Sequence, residues 1–167
     1  GSVKRDKGAL PSANSLLREA LAMRRNVYEE AHLKISSSLT ELGFVLSKQG
    51  KYEKADSVYR KSLAIKREQL EPRHPRTATT LTNLGVALRK QGAYAAADSV
   101  YRKALTIERE HLEPRHPNIA TALNNLGVVW RIQGRYAAAD SIYRKALAIR
   151  REKLGPNHPE TSVTLNN

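Results

Sequence analysis

The chain contains 167 residues, of which 40% are hydrophobic and 5% aromatic, a composition that suits one modest folded unit and excludes a disordered tail. Lysine and arginine number 29 against 16 aspartate and glutamate residues, so the formal net charge of +13 favours acidic partners. The absence of cysteine excludes disulfides and thiolate metal sites, and no apolar run is long enough to span a membrane. These features predict a soluble chain and leave its redox compartment undecided, and we expect it to be cytoplasmic.

A period of 42 residues organises the sequence. A His-Pro dipeptide recurs at residues 74, 116 and 158, and residues 75–116 share 28 identical positions with residues 117–158. The same frame extends back through residues 33–74 and fades further upstream. Repetition at this length predicts an array in which each unit packs on the next.

The elements are predicted in chain order from this frame. Residues 1–9 are interpreted as a tag scar and basic leader, and residues 10–30 as a half repeat that contains only a second helix. Three full repeats follow, each a pair of helices, and residues 159–167 begin the first helix of a further repeat. The repeats span 33–74, 75–116 and 117–158, with helices near 33–48 and 52–70, 75–90 and 94–112, and 117–132 and 136–154. We interpret the whole as one continuous domain.

Local signals support these helix pairs. Apolar residues recur at helical spacing, as in Ala78, Leu81, Leu84 and Leu88. Proline suits the first position of a helix, and glycine suits the left-handed residue that closes one. These residues mark the same joints in successive copies, namely Pro75 and Pro117 at helix starts and Gly50, Gly92 and Gly134 at helix ends.

Small and large residues alternate where paired helices must approach each other. A glycine inside a helix costs about 1 kcal/mol relative to alanine, so its repetition indicates close backbone contact. We expect the bulk opposite each glycine to come from a tyrosine of the second helix. The glycines are Gly43, Gly85 and Gly127, and the tyrosines are Tyr59, Tyr101 and Tyr143. We expect Tyr52, Tyr94, Tyr136 and Trp130 to pack as well.

The spacing resembles the tetratricopeptide repeat (TPR). Leu81-x2-Leu84-Gly85-x2-Leu88 is followed by Ala97-x3-Tyr101, and the next copy repeats the pattern with Trp130 in place of Leu88. The longer period, the joint at Leu154 to Pro159 and the run Leu123-Asn124-Asn125-Leu126 are similar to the 42-residue subclass found in kinesin light chains. The resemblance implies an all-α, TPR-type right-handed α-solenoid of stacked antiparallel helix hairpins.

In that family the first helices line a concave groove that holds a partner peptide. By position, the resemblance places Asn83 and Asn125 where the family hydrogen-bonds ligand backbone, and Glu41 replaces this asparagine in the first full repeat. The predicted peptide-binding residues are Thr82, Asn83, Val86, Arg89, Lys90, Asn124, Asn125, Val128 and Arg131, with Thr79 and Thr121 pointing the same way.

Charge supports an acidic ligand independently of the family. The three complete first helices carry six cations, against Glu41 alone: Lys34, Lys48, Arg76, Arg89, Lys90 and Arg131. The second helices are mixed, with aspartate and arginine at i, i+4 positions that we expect to pair. We therefore predict a scaffold that binds an acidic peptide or protein segment.

Two rival functions remain open from the sequence. Basic clusters such as Lys66-Arg67 and Arg150-Arg151 suit nucleic acid, although few aromatic residues are available to stack on bases. The array could instead serve self-association through its exposed ends, or act as a regulatory segment of a larger signalling enzyme.

Catalytic, metal and cofactor chemistry find no support in the sequence. The three histidines of the His-Pro joints lie one repeat apart, so they cannot converge on one ion, and we expect them to shape loops. The other two histidines, His32 and His111, are isolated. Almost every polar residue recurs with the period, whereas a catalytic constellation is unique. We expect no enzyme activity, no cofactor and no membrane contact.

Overall fold

The computed structural model describes residues 33–71 and 73–167. The predicted leader, the predicted helix at 10–30 and His32 lie outside these residues. All regular elements in the described ranges are α-helices: α1 (Leu33–Lys48), α2 (Tyr52–Gln69), α3 (Pro75–Lys90), α4 (Tyr94–His111), α5 (Pro117–Ile132), α6 (Tyr136–Leu154) and α7 (Pro159–Leu165). Each predicted helix from residue 33 onward is found, with bounds that agree to within a residue or two.

The joints between helices form as predicted. Pro75, Pro117 and Pro159 occupy first helical positions, and the preceding histidine ring accepts a hydrogen bond from the backbone N–H two residues on. For His74 this bond, from the Arg76 N–H to Nδ1, measures 3.1 Å. Gly92, which closes α3, has a φ of 80°, a conformation that glycine adopts without a Cβ clash. The three histidines therefore cap helices, in agreement with the loop-shaping role predicted for them.

Each hairpin closes by packing a tyrosine ring on a glycine. A Cβ atom built on Gly85 would lie 2.5 Å from Cε1 of Tyr101, closer than two carbon atoms can approach. Gly43 has the same relation to Tyr59. The predicted pairing of small and large residues is confirmed, because only a bare backbone at the glycine leaves room for the ring.

Successive hairpins stack so that the first helices form an inner wall. The helix α3 contacts both α1 and α5 in addition to its own partner α4, whereas successive second helices stay further apart. A row of elements that approach more closely on one side curves toward that side. The first helices therefore lie on the concave face and the second helices on the convex face of an all-α solenoid.

One apolar core runs through all the hairpins of the described part. Tyr59 and Tyr101 are almost fully buried in it, and Tyr94 and Trp130 pack against its edge. Tyr136 departs from the prediction, because 70% of its surface is exposed. It lies at the start of α6 and lines an open cavity together with Leu165 and Asn167. No helix in the described ranges is long and apolar enough to cross a membrane.

Candidate functional site in the inner groove

The exposed stripe of each first helix faces the inner groove, which we define by three positions that recur with the period. The positions follow helical spacing of i, i+3 and i+7, so they lie on one face of each helix. They are Glu41, Phe44 and Lys48 on α1, Asn83, Val86 and Lys90 on α3, and Asn125, Val128 and Ile132 on α5. The groove thus carries a polar edge, an apolar centre and an edge that is largely basic.

The polar edge presents two asparagine amides one repeat apart. Asn83 and Asn125 are half-buried, which restricts their side chains, and neither amide has a hydrogen-bond partner among the residues that the structure describes. A primary amide offers a donor and an acceptor together, which matches one peptide group of any sequence. These two side chains can therefore hold the backbone of an extended ligand.

Their neighbours Thr82 and Asn124 face into the wall. The Thr82 hydroxyl is buried without a hydrogen-bond partner in the described ranges. Asn124 is only 7% exposed, and its amide oxygen accepts a 3.0 Å hydrogen bond from Nδ2 of Asn167 on the next repeat. Of the two adjacent asparagines, the structure leaves Asn125 open to a ligand and engages Asn124 between repeats.

The predicted groove cations differ in their surroundings. Lys90 and Arg131 are exposed. Arg89 is half-buried and lies beside the hydroxyl of Tyr101. Burial raises the pKa of this hydroxyl to about 12, although the Arg89 cation acts in the opposite direction. The charge of Arg89 therefore sits behind the surface of the groove, whereas Lys90 stands at its edge. Arg131 occupies the repeat position of Arg89 and lies, exposed, beside the hydroxyl of Tyr143.

The apolar centre includes a residue that the sequence analysis missed. Phe44 is 49% exposed, and the ammonium group of Lys48 lies 5.3 Å from the centre of its ring. Val86 and Val128 follow at the same repeat position and are half-buried. The signal was present in the sequence, since positions 44, 86 and 128 are all apolar on a face where every other groove position except Ile132 is polar.

A second missed feature is a column of buried ionisable side chains between hairpins. Lys66, Glu108 and Arg150 share one position of the repeat and are 5%, 7% and 4% exposed. Lys66 donates to Oγ1 of Thr80 at 2.5 Å, which joins the first hairpin to the second. The basic clusters Lys66-Arg67 and Arg150-Arg151 therefore each have only one residue that a nucleic acid can reach.

The second helices carry the predicted ion pairs. Arg60 lies 2.6 Å from Asp56, Arg102 lies 2.7 Å from Asp98 and Arg144 lies 2.8 Å from Asp140. Trp130 is half-buried with its Nε1–H donating to Asp98, and the guanidinium carbon atoms of Arg102 and Arg135 lie 5.1 and 4.5 Å from its ring centre. Trp130 packs as predicted, enclosed by two cations.

The comparison with known protein families is decisive. The sequence profile described as tetratricopeptide repeat matches residues 1–68, 34–110, 76–151 and 118–167, which together cover the whole chain. The chain belongs to the tetratricopeptide repeat family. This confirms the resemblance drawn from the leucine, glycine and tyrosine spacing. A search of curated protein sequences gave no significant match.

Solved structures with the same fold include TPR arrays related to kinesin light chains. The nearly identical TPR-like repeats of a candidate kinesin light chain from Podosopora anserina superpose with a TM-score of 0.79 at 20% identity, covering 95% of this chain and 75% of that one. BtubC (BKLC) from P. vanneervenii gives a TM-score of 0.70 at 20% identity, covering 100% of this chain and 64% of that one. At this identity the likeness establishes the fold.

The TPR array thus gathers the predicted residues on two adjacent first helices. Thr82, Asn83, Val86, Arg89 and Lys90 lie on α3, and the other four lie on α5. Their contact with a ligand stays a prediction. No group of three or more histidine or carboxylate side chains able to hold a metal ion occurs among the described residues.

Proposed function

We propose that this tetratricopeptide array is a protein-interaction scaffold whose inner groove binds an acidic peptide segment of a partner. The observation that carries the proposal is the pair of half-buried amides of Asn83 and Asn125, one repeat apart and without partners in the described part of the chain. A polar group at a partly desolvated surface costs free energy while it lacks a hydrogen-bond partner. A ligand with peptide groups at the same interval as the two amides would supply those partners.

The charge of the inner wall favours acidic side chains on that ligand. Glu41 is the only carboxylate on α1, α3 and α5, whereas the same helices carry six lysine or arginine residues. Lys90 stands exposed at the groove edge, where it can contact carboxylates, and Arg131 is exposed on the next first helix. The same cations would repel a basic peptide.

The apolar centre of the groove suits a ligand with occasional large apolar side chains. Phe44 offers an exposed ring, and Val86 and Val128 continue the same line across the next two repeats. A peptide that alternates acidic and apolar residues would place its carboxylates at the cations and its apolar side chains along this line. Binding and holding such a segment requires no catalytic group.

Alanine at both asparagines tests the proposal. The double variant Asn83→Ala/Asn125→Ala should bind a fluorescent peptide of alternating glutamate and leucine about tenfold more weakly or worse, since two charge-independent hydrogen-bonding groups are lost. Fluorescence anisotropy measures the affinity, and circular dichroism checks that helicity persists.

The matched control is Gln69→Ala/Asn157→Ala, which removes two exposed side-chain amides that lie outside the first helices. We expect its affinity to stay within a factor of two of the parent chain. Equal affinities for both double variants would contradict the assignment of the amides to ligand binding.

Nucleic acid is the weaker alternative. The guanidinium groups of Arg102 and Arg135 both lie over the ring of the lone tryptophan, Trp130, and Lys66 and Arg150 are buried. Stacking on bases requires open aromatic faces, which the described surface offers chiefly at Phe44 and Tyr136. Competition of labelled peptide by single-stranded polythymidine should therefore be poor at moderate salt concentrations.

A further inference from the structure

The convex face of the solenoid has two grooves that the inner binding site does not use. One lies between α2 and α4 above α3, with a volume of about 370 Å³, and the other lies between α4 and α6 above α5, with about 430 Å³. They exist because successive second helices stay apart while the first helices touch. Thr106 and Arg102 line both, so the two grooves form one continuous outer track.

The rims of the outer track repeat the same chemistry. Arg67 and Lys103 line the first groove, and Arg109 and Lys145 occupy the same two repeat positions in the second. All four side chains are exposed, and none forms an ion pair with another described residue. No carboxylate lines either groove. Four unpaired cations on a track without acidic residues create a surface of strongly positive potential.

Two further arginines of the track already have partners. Arg102 pairs with Asp98, and Arg73 pairs with Glu110 on the neighbouring helix. Because Arg102 and Arg73 are already paired, the four unpaired cations are the groups that would gain ion pairs from the carboxylates of a bound ligand.

The floor of the track is apolar. Leu81 lies beneath the first groove, and Leu123 and Leu126 lie beneath the second, with Trp130 at its end. Nucleic acid binding would need open ring faces for base stacking, and Trp130 is enclosed by Arg102 and Arg135. A narrow channel with an apolar floor and cationic rims fits an acidic polypeptide better than it fits a polynucleotide.

We propose that the outer track between α2, α4 and α6 is a second docking surface, which binds an acidic protein segment through Arg67, Lys103, Arg109 and Lys145. The ligand's carboxylates contact the four cations, and its apolar side chains enter the grooves between helices. This surface is separate from the inner groove, so one array engages acidic segments on both faces.

Site-specific crosslinking locates the bound peptide, because the chain has no natural cysteine. A benzophenone attached to Thr106→Cys reports on the outer track, and one attached to Thr79→Cys reports on the exposed face of α3. The probe is the labelled peptide of alternating glutamate and leucine. We expect concentration-dependent crosslinks from both positions, and absence of crosslinks from Thr106→Cys would overturn the proposal.

Charge reversal then separates the two faces. In the Thr106→Cys background, Arg109→Glu/Lys145→Glu should reduce outer crosslinking about tenfold or more, because two attractive contacts become repulsive. The control Lys54→Glu/Lys153→Glu makes the same change in net charge at exposed positions off both grooves, and should reduce it no more than about twofold. Equal losses in both variants would show attraction by net charge alone and would contradict a defined track.

The inner and outer proposals fail independently. Asn83→Ala/Asn125→Ala should reduce crosslinking from Thr79→Cys and leave that from Thr106→Cys unchanged. Stronger displacement of the outer crosslink by polythymidine than by unlabelled peptide would assign the track to nucleic acid instead and overturn the proposal. Thermal melting by circular dichroism verifies that each charge variant is folded.

Discussion

Single glycines decide how closely the two helices of each hairpin approach. Gly85 contacts the ring of Tyr101 so closely that any added carbon would overlap it. Alanine normally favours a helix over glycine by about 1 kcal/mol. At this position the steric overlap opposes that preference, because the ring is buried on all sides and has no free space to enter.

We therefore predict that Gly85→Ala destabilises the array despite its better helix propensity. Overpacking of a tight core costs about 1–3 kcal/mol in unfolding free energy. Thr79→Ala, on the exposed face of the same helix, should change the stability by less than about 0.5 kcal/mol. Chemical denaturation of both variants measures the difference, and a Gly85→Ala chain as stable as the parent would show that Tyr101 moves aside.

The adjacent asparagines show where prediction from sequence reaches its limit at the residue scale. Asn124 and Asn125 are chemically identical neighbours, and the periodicity places both near the inner face of α5. The structure buries Asn124 against Asn167 and leaves the Asn125 amide open. Successive residues of a helix are rotated by about 100°, so Asn124 turns toward the next repeat while Asn125 turns toward the groove. At the edge of a helical stripe, the spacing alone does not show which of two neighbouring residues faces the groove.

At the scale of whole elements, the interfaces between hairpins differ in the residue that fills one buried position. Lys66 donates hydrogen bonds to Thr80 Oγ1 and to the Arg76 carbonyl, and Arg150 reaches Thr164 and the Glu160 carbonyl in the equivalent place. Between these two, Glu108 has Oε2 buried without a partner in the described structure. The first and last interfaces thus each contain hydrogen bonds donated from one hairpin to the next. The middle interface instead contains a buried carboxylate oxygen without a hydrogen-bond partner.

Burial alone raises the pKa of Glu108 from 4.5 to about 7. The unfolded chain loses this proton near pH 4.5, whereas the folded chain keeps it until about pH 7. The contribution to stability is therefore fully present below pH 4.5, falls as the pH rises from 4.5 to 7, and is absent above that range.

We predict that Glu108→Gln is more stable than the parent chain at pH 8 and nearly equal to it at pH 4.5. The amide retains the shape of the acid without its charge, so the gain at pH 8 should be on the order of 2–3 kcal/mol. Thermal melting from pH 4.5 to 8.5 measures the difference between the two proteins. A constant difference across this range would show that Glu108 titrates as a solvated acid.

At the scale of the whole molecule, positive charge covers both faces of the solenoid. Among the described residues, cations stand on the inner first helices and along the outer track, and the three aspartates are paired within second helices. Long-range attraction of this kind raises the rate of encounter with an acid more than it slows dissociation. Contacts made by the groove amides act after encounter and are insensitive to salt.

Association and dissociation of the acidic peptide should therefore respond differently to salt. We expect the association rate to fall by about tenfold between 0.05 and 0.5 M salt, while the dissociation rate changes by less than about threefold. Stopped-flow measurements on the Arg67→Glu/Lys103→Glu/Arg109→Glu/Lys145→Glu variant, in which all four outer cations are reversed, isolate the inner groove. Asn83→Ala/Asn125→Ala on the same background should raise the dissociation rate instead. A salt effect confined to dissociation would contradict this division of roles.

The sequence by itself determined the helix pairs, their joints and their family, because these depend on signals within one repeat. Prolines, capping histidines and left-handed glycines define where each helix begins and ends, and the pairing of glycine with tyrosine defines the hairpin. Only the tertiary structure decided which polar side chains become buried between repeats, that Arg89 lies beside Tyr101, and that the convex face opens into a basic track. Those features depend on the angle at which each hairpin packs against the next. Contacts among residues of three different helices determine that angle, so the pattern within one repeat does not reveal it.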